Sequence, residues 1–141
     1  MEVAVYCGGT YSLTDQVCKK ASGTTLTYNT VINWINSHGE GSYLIFGTDV
    51  IPYTIYDYPN RPYEETPIFK FMERGGNVIW VGETPFYYIE KDGKKEEVFH
   101  KANPFPFVPQ NLESKPVANS ENTIVGEMLG YEPKESWRPV N

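Results

Sequence analysis

The sequence predicts an α/β domain of three layers, in which helices cover both faces of a parallel sheet with strand order 2-1-3-4. Three observations predict it. Apolar, β-branched runs alternate with amphipathic helical stretches from Val3 to Val81. The connections between them are short. The run Tyr43-Leu44-Ile45-Phe46 has no polar face, the pattern of a strand buried on both sides of a parallel sheet.

The elements follow in order. Val3 to Cys7 is a short apolar run closed by Gly8-Gly9, which reads as a buried strand and a tight turn. Ser12-Leu13-Thr14-Asp15 has the form of a capping box. It opens a short helix with Leu13, Val17 and Ala21 on one face, ending near Gly23. Thr24 to Tyr28 is β-branched and reads as a second strand. Thr30 starts a second helix, with Val31, Trp34 and Ile35 inward and Gly39 and Gly41 at its end. The strand at Tyr43 comes next, then Gly47-Thr48-Asp49 and a long loop from Pro52 to Pro62. A third helix is expected from Glu64 to Arg74, with Ile68, Phe71 and Met72 inward and Gly75-Gly76 as its cap. Asn77 to Val81 is a fourth buried strand, followed by Gly82-Glu83-Thr84-Pro85-Phe86.

Beyond Phe86 the alternation stops. Tyr87 to Glu90 and Glu96 to Phe99 flank Asp92-Gly93, a hairpin turn signal. Asn103 to Pro116 is proline-rich and reads as a strap over the sheet edge, since Phe105, Phe107 and Val108 call for burial. Glu121 to Leu129 reads as a last helix, with Ile124, Val125 and Met128 apolar. The whole is one domain, 1–141, a flavodoxin-like parallel sheet with an added β-hairpin and a C-terminal helix.

Bulk composition narrows the function. The 141 residues are enough to bury a core without disulfides or metal. A formal charge of −6 argues against a nucleic-acid partner, which needs a basic face. No apolar run approaches the roughly 20 residues of a membrane span. The N-terminus carries no charged leader, so the expected setting is the cytoplasm. Two cysteines are too few for a disulfide scaffold. Cys7 reads as a buried, inert thiol. His38 falls at the end of the second helix, where it suits the helix dipole. His100 follows the hairpin, and two histidines with scattered acids give no metal-ligand spacing. No cofactor motif is present.

The stretch from Tyr43 to Phe86 resembles the class I glutamine amidotransferase-like superfamily. An apolar strand leads into a loop and a helix, the helix ends in a Gly-Gly pair, and the next strand reads Asn77-Val78-Ile79-Trp80-Val81-Gly82. Active members carry a nucleophilic cysteine on the sharp turn after that strand. This chain has Gly82-Glu83-Thr84-Pro85 there, and it lacks the downstream His-x-Glu pair. The resemblance therefore implies the fold without glutaminase activity. It points to non-catalytic members, which include the trimerisation domain of some β-galactosidases and domains attached to carbohydrate enzymes.

Ligands of open parallel sheets bind beyond the carboxyl ends of the strands. Three loops reach that edge: Gly8 to Ser12, Thr48 to Tyr58 and Glu83 to Tyr88. The candidate contacts are Thr10, Asp49, Tyr56, Tyr58, Glu83, Thr84, Phe86 and Tyr87. Asp49 and Glu83 on neighbouring strand ends would form a general acid and base pair in a hydrolase. The alternative is that Asp49 caps a turn and Glu83 accepts backbone N–H groups. Gly8 to Ser12 precedes a helix as a phosphate cradle would, but it has no lysine or longer glycine pattern and the net charge repels anions, so a tight turn and an N-cap explain the same residues. The aromatics Tyr53, Tyr56, Tyr58, Tyr63, Phe86, Tyr87 and Tyr88 suit a sugar ring, a protein interface or packing over the sheet's end. Three functions stay open: an assembly or accessory module that forms a homo-oligomer or joins a larger protein, a carbohydrate or other small-ligand binder, and a hydrolase.

Overall fold

The computed structural model describes residues 1–8, 15–81 and 85–97, with backbone alone at Asp15, Gln16 and Glu97. The expected strap at Asn103 to Pro116, the helix at Glu121 to Leu129 and His100 lie outside the described residues.

Four strands form one parallel sheet: β1 (Glu2–Tyr6), β2 (Thr24–Leu26), β3 (Ser42–Phe46) and β5 (Asn77–Trp80). Their order is β2-β1-β3-β5, and every pairing is parallel. The expected order 2-1-3-4 is therefore found for the strands at Val3, Thr24, Tyr43 and Val78. The register sets Val5 beside Ile45 and Ile45 beside Ile79. Side chains alternate between faces along each strand, so the sheet builds two apolar cores.

The larger core holds Ala4, Tyr6, Leu44 and Phe46 of the sheet against helices α2 (Val31–Asn36) and α3 (Pro67–Glu73). Val31, Ile35, Ile68 and Phe71 are all fully buried. The smaller core, on the opposite face, holds Val5 and Ile45. Val17, Cys18 and Ala21, from or just after helix α1 (Asp15–Lys20), pack there. Right-handed crossovers account for this division. The chain moves outward from β1 to β2, then reverses across β1 to reach β3, and the reversal sends the later helices to the other face.

Each helix has a local reason for its ends. Trp34 is half-buried and stacks on His38 at 4.1 Å between ring centroids. Helix α2 stops at Asn36, before the glycines expected to end it, because Ser37 takes over. The Ser37 hydroxyl donates to the carbonyls of Asn33 or Trp34, both at 3.0 Å. His38 Nδ1 lies 2.6 Å from the Trp34 oxygen, as its place at the helix end predicts. Arg74 Nη2 crosses from α3 to donate to Ile35 O at 2.6 Å and His38 O at 3.0 Å, so one guanidinium caps a neighbouring helix.

The third helix is shorter than Glu64 to Arg74. Pro67 forces Thr66 into an extended conformation (φ −68°, ψ 148°). The segment splits into a 3-10 turn at Tyr63–Glu65 and α3, with Pro67 at the first helical turn. The Gly75-Gly76 cap is present. Gly75 has φ +89°, its N–H bonds Met72 O at 3.0 Å, and that of Gly76 bonds Phe71 O at 2.9 Å, a Schellman arrangement.

A second sheet was not anticipated in full. Strand β4 (Val50–Pro52) pairs parallel with β6 (Tyr88–Lys91), which pairs antiparallel with β7 (Lys94–Glu97). The loop expected to begin at Pro52 is preceded by this buried strand. A three-residue run ending in proline looks like a loop entrance, and Pro52 is tolerated because β4 pairs on one side only. The hairpin expected at Asp92-Gly93 is found, with φ values of 52° and 74°. Its second strand starts at Lys94 directly after the turn, earlier than Glu96. Strand β5, expected to be buried, has Asn77 exposed and Val78 to Trp80 half-buried. Among the described residues it is an edge strand. No helix among the described residues is long and apolar enough to cross a membrane.

Phe46 lies between Tyr6 and Trp80 with its side chain fully buried. Replacing Phe46 with alanine is expected to cost about 3–5 kcal/mol. Lys94→Ala, at an exposed residue of the hairpin, should change stability by no more than about 0.5 kcal/mol. Urea unfolding of both variants checks the contrast, and equal midpoints would show that this ring is not core.

Candidate functional site

The three loops expected to carry a site are only partly described. Thr10, Glu83 and Thr84 lie outside the described residues. No distance between Asp49 and Glu83 is therefore defined. Asp49 is 8% exposed. The turn at its position is held by Thr48 instead, whose hydroxyl accepts from Val50 N at 3.0 Å and lies 3.2 Å from Val50 O.

The aromatic group does converge, but more deeply than a binding surface would. Tyr56 is 0% and Phe86 1% exposed. Tyr58 and Tyr87 are half-buried. Five rings close a circuit of contacts: Phe86 to Tyr56 at 4.9 Å, Tyr56 to Tyr58 at 6.2 Å, Tyr58 to Tyr63 at 5.7 Å, Tyr63 to Phe69 at 5.3 Å and Phe69 to Phe86 at 6.2 Å. Trp80 joins this circuit through Phe86 at 5.6 Å and reaches Phe46 at 4.9 Å. Edge and tilted geometries of this kind add to area burial. Phe86 sits in left-handed backbone, φ 63°, which costs on the order of 1–3 kcal/mol and requires tight packing to hold it. Tyr56 and Phe86 are therefore core residues, and Tyr56→Ser would be a large-to-small core change. Burial pushes the Tyr56 hydroxyl well above its ordinary range, with Tyr58 adding to it.

The open part of the region lies beside this core. A cleft of about 170 Å³ separates the 53–60 loop from the hairpin. Tyr53, Asp57, Tyr58, Pro59 and Asn60 line one wall, and Ile89, Lys91 and Glu96 the other. The loop contains a cis peptide at Tyr58-Pro59, and Asn60 N bonds Asp57 O at 2.8 Å. The Asn60 amide donates to the Tyr53 hydroxyl. Asp57 pairs with Arg61 at 2.8 Å. Lys91 Nζ stands 4.4 Å from the Tyr53 ring centroid, a cation–π contact. Aromatic faces, one amide, two carboxylates and one ammonium thus meet in a small concavity. Of these groups, Tyr53 and Tyr58 belong to the aromatic set legible in the sequence. Asp57, Asn60, Lys91 and Glu96 were missed, because neither the loop's fold nor its hairpin neighbour follows from local pattern.

A second polar cluster lies at the carboxyl end of β1. Tyr6, fully buried, donates its hydroxyl to Glu90 Oε2 at 3.3 Å. Burial raises the Tyr6 hydroxyl far above its ordinary range, and the adjacent Glu90 charge raises it further. Burial also raises Glu90, while the Tyr6 hydrogen bond partly offsets this. Tyr28 is raised by burial and then by Asp92 and Glu90. Cys7 is not a free thiol: it is bridged to Cys18, with Cα atoms 5.8 Å apart. The sequence reading of Cys7 as an inert buried thiol is thus corrected. Spacing alone gives no sign that α1 returns to the end of β1. Among the described residues no group of His, Cys, Asp and Glu could hold a metal ion.

A model of the MJECL34 family matches residues 22–130. The chain belongs to the MJECL34 family. The matched span contains every residue of the cleft and neither cysteine. No curated protein matches the chain, and no solved structure does either.

The raised Glu90 carboxyl has a consequence with a definite sign. Above the ordinary glutamate value of 4.5, the folded chain keeps a proton that the unfolded chain has lost. Its contribution to stability is complete below 4.5 and disappears as pH rises through the folded value. Glu90→Gln should therefore flatten the fall of stability with pH from 4.5 upward. Urea midpoints measured from pH 4 to 8 for both proteins check it, and identical slopes would remove Glu90 as the cause.

Proposed function

We propose that this chain is a non-catalytic, amidotransferase-like module of three-layer, flavodoxin-like form, and that it serves as an accessory domain by binding a small polar ligand of sugar-ring size. The observation that carries the ligand part is the cleft between the 53–60 loop and the hairpin. Its volume is well below the roughly 300–1,000 Å³ of pockets for drug-sized molecules, which suits one ring rather than an extended substrate. Tyr53 and Tyr58 offer apolar faces, while Asp57, Asn60 and Lys91 offer acceptors and donors at the rim. Sugars present this same mixture of apolar C–H faces and hydroxyl groups. The parallel sheet, with helices on both faces, supports the amidotransferase-like form.

The expected outcome is binding of a monosaccharide or disaccharide with chemical-shift changes centred on Tyr53, Asn60 and Lys91. Asn60→Ala and Tyr53→Ser should weaken it at least tenfold, equivalent to about 1.4 kcal/mol. Titration of a sugar panel monitored by NMR provides the test. Shifts confined to residues away from the cleft would defeat the site, and no shifts across the panel would defeat the sugar-sized ligand.

A further inference from the structure

The Cys7–Cys18 bridge has no role in the cleft, yet it occupies a mechanically distinctive position. It joins the first residue after β1 to the middle of α1. Among the described residues helix α1 has six, far fewer than the roughly 12–15 at which an isolated helix becomes even marginal in water. Among the described residues, its apolar hold on the sheet is confined to Val17, Cys18 and Ala21, and Val17 and Ala21 are only half-buried. Helices α2 and α3, by contrast, insert fully buried side chains into the larger core and are tied together by Arg74. The covalent link is thus a dominant restraint on α1 and a minor one on the rest.

Both sulfurs belong to half-buried residues rather than to the closed core. Cys18 Sγ is lodged 4.0 Å from the Tyr6 carbonyl oxygen and 3.8 Å from that of Gly47. A Cβ at position 47 would lie 2.6 Å from the same sulfur, so the residue after β3 has to be glycine for the bridge to seat. These contacts crowd Cys18 Sγ and hinder attack on it.

We propose that the Cys7–Cys18 bridge is a thiol-exchange site that fastens α1 to the sheet when oxidised and releases it when reduced by a dithiol. The attacking thiolate forms a bond to Cys7 Sγ and breaks the bond to Cys18, which leaves as a thiolate and takes up a proton. The second thiol of the reductant then displaces Cys7 from the mixed disulfide. Two protein thiols form and the reductant becomes a disulfide, so two electrons and two protons enter the chain. Release of α1 withdraws Val17 and Ala21 from Val5 and Ile45 and uncovers the smaller core. An oxidising compartment favours the fastened state, and a reducing one favours the released state.

The experiment uses the full oxidised chain without denaturant, titrated with dithiothreitol, with thiol counts and amide hydrogen exchange read together. Two thiols per chain are expected under native conditions. Amide exchange over residues 15–21 should accelerate at least tenfold, while α2 and α3 keep their protection. Cys18→Ser should show the fast exchange at 15–21 without reductant and no response to it. Gly47→Ala should slow re-formation of the bridge after the reductant is removed. Thiols that react only after global unfolding would overturn the proposal. So would unchanged exchange at 15–21 in the dithiol form, or loss of protection spreading into α2 and α3, which would make the bridge a staple of the whole fold.

Discussion

The structure depends on covering strand β3 from both sides. Leu44 and Phe46 point into one core and Ile45 into the other, all without solvent exposure. A strand with no polar face cannot lie at a wet surface, and its parallel neighbours cannot be joined by tight hairpins. Each connection must therefore cross over, and each crossing supplies a helix. The same arrangement gathers the carboxyl ends of all four strands on one edge. The second sheet, the aromatic circuit and the Tyr6–Glu90 pair build up near that edge.

How much of this was legible in the sequence follows from the range of the interactions involved. The strand order and the two apolar faces were readable because the side-chain period of a strand is local and crossover handedness is general. The Gly75-Gly76 cap and the Asp92-Gly93 turn were readable because left-handed backbone favours particular residues. Strand β4 was not, since three residues carry no periodicity and it exists only through pairing with β6, almost forty positions later. The break at Thr66 was written in Pro67 and could have been found from the steric clash that proline imposes on its predecessor.

The candidate site shows a similar division. Residue type foretold that the tyrosines would gather, because their loops leave neighbouring strands on one edge. It did not foretell which rings would be buried. Tyr56 and Phe86 turn inward while Tyr53 and Tyr58 line the cleft opposite the hairpin. Asp57 and Asn60 are ordinary loop residues in isolation, and Lys91 an ordinary strand end. They become a set only because Lys91 is brought over the Tyr53 ring and Asn60 is folded back onto its hydroxyl.

Strand β7 carries Lys94, Lys95, Glu96 and Glu97 in succession, and among the described residues one of its edges has no strand beside it. Such an edge exposes a row of backbone donors and acceptors that invites another chain to pair with it. The charges decide which approach is tolerated. A parallel, in-register approach of a second copy sets lysine against lysine and glutamate against glutamate, whereas a fully overlapped antiparallel approach sets Lys94 against Glu97 and Lys95 against Glu96. Among the described residues, the order of signs along β7 therefore disfavours parallel self-pairing and leaves the antiparallel one electrostatically matched.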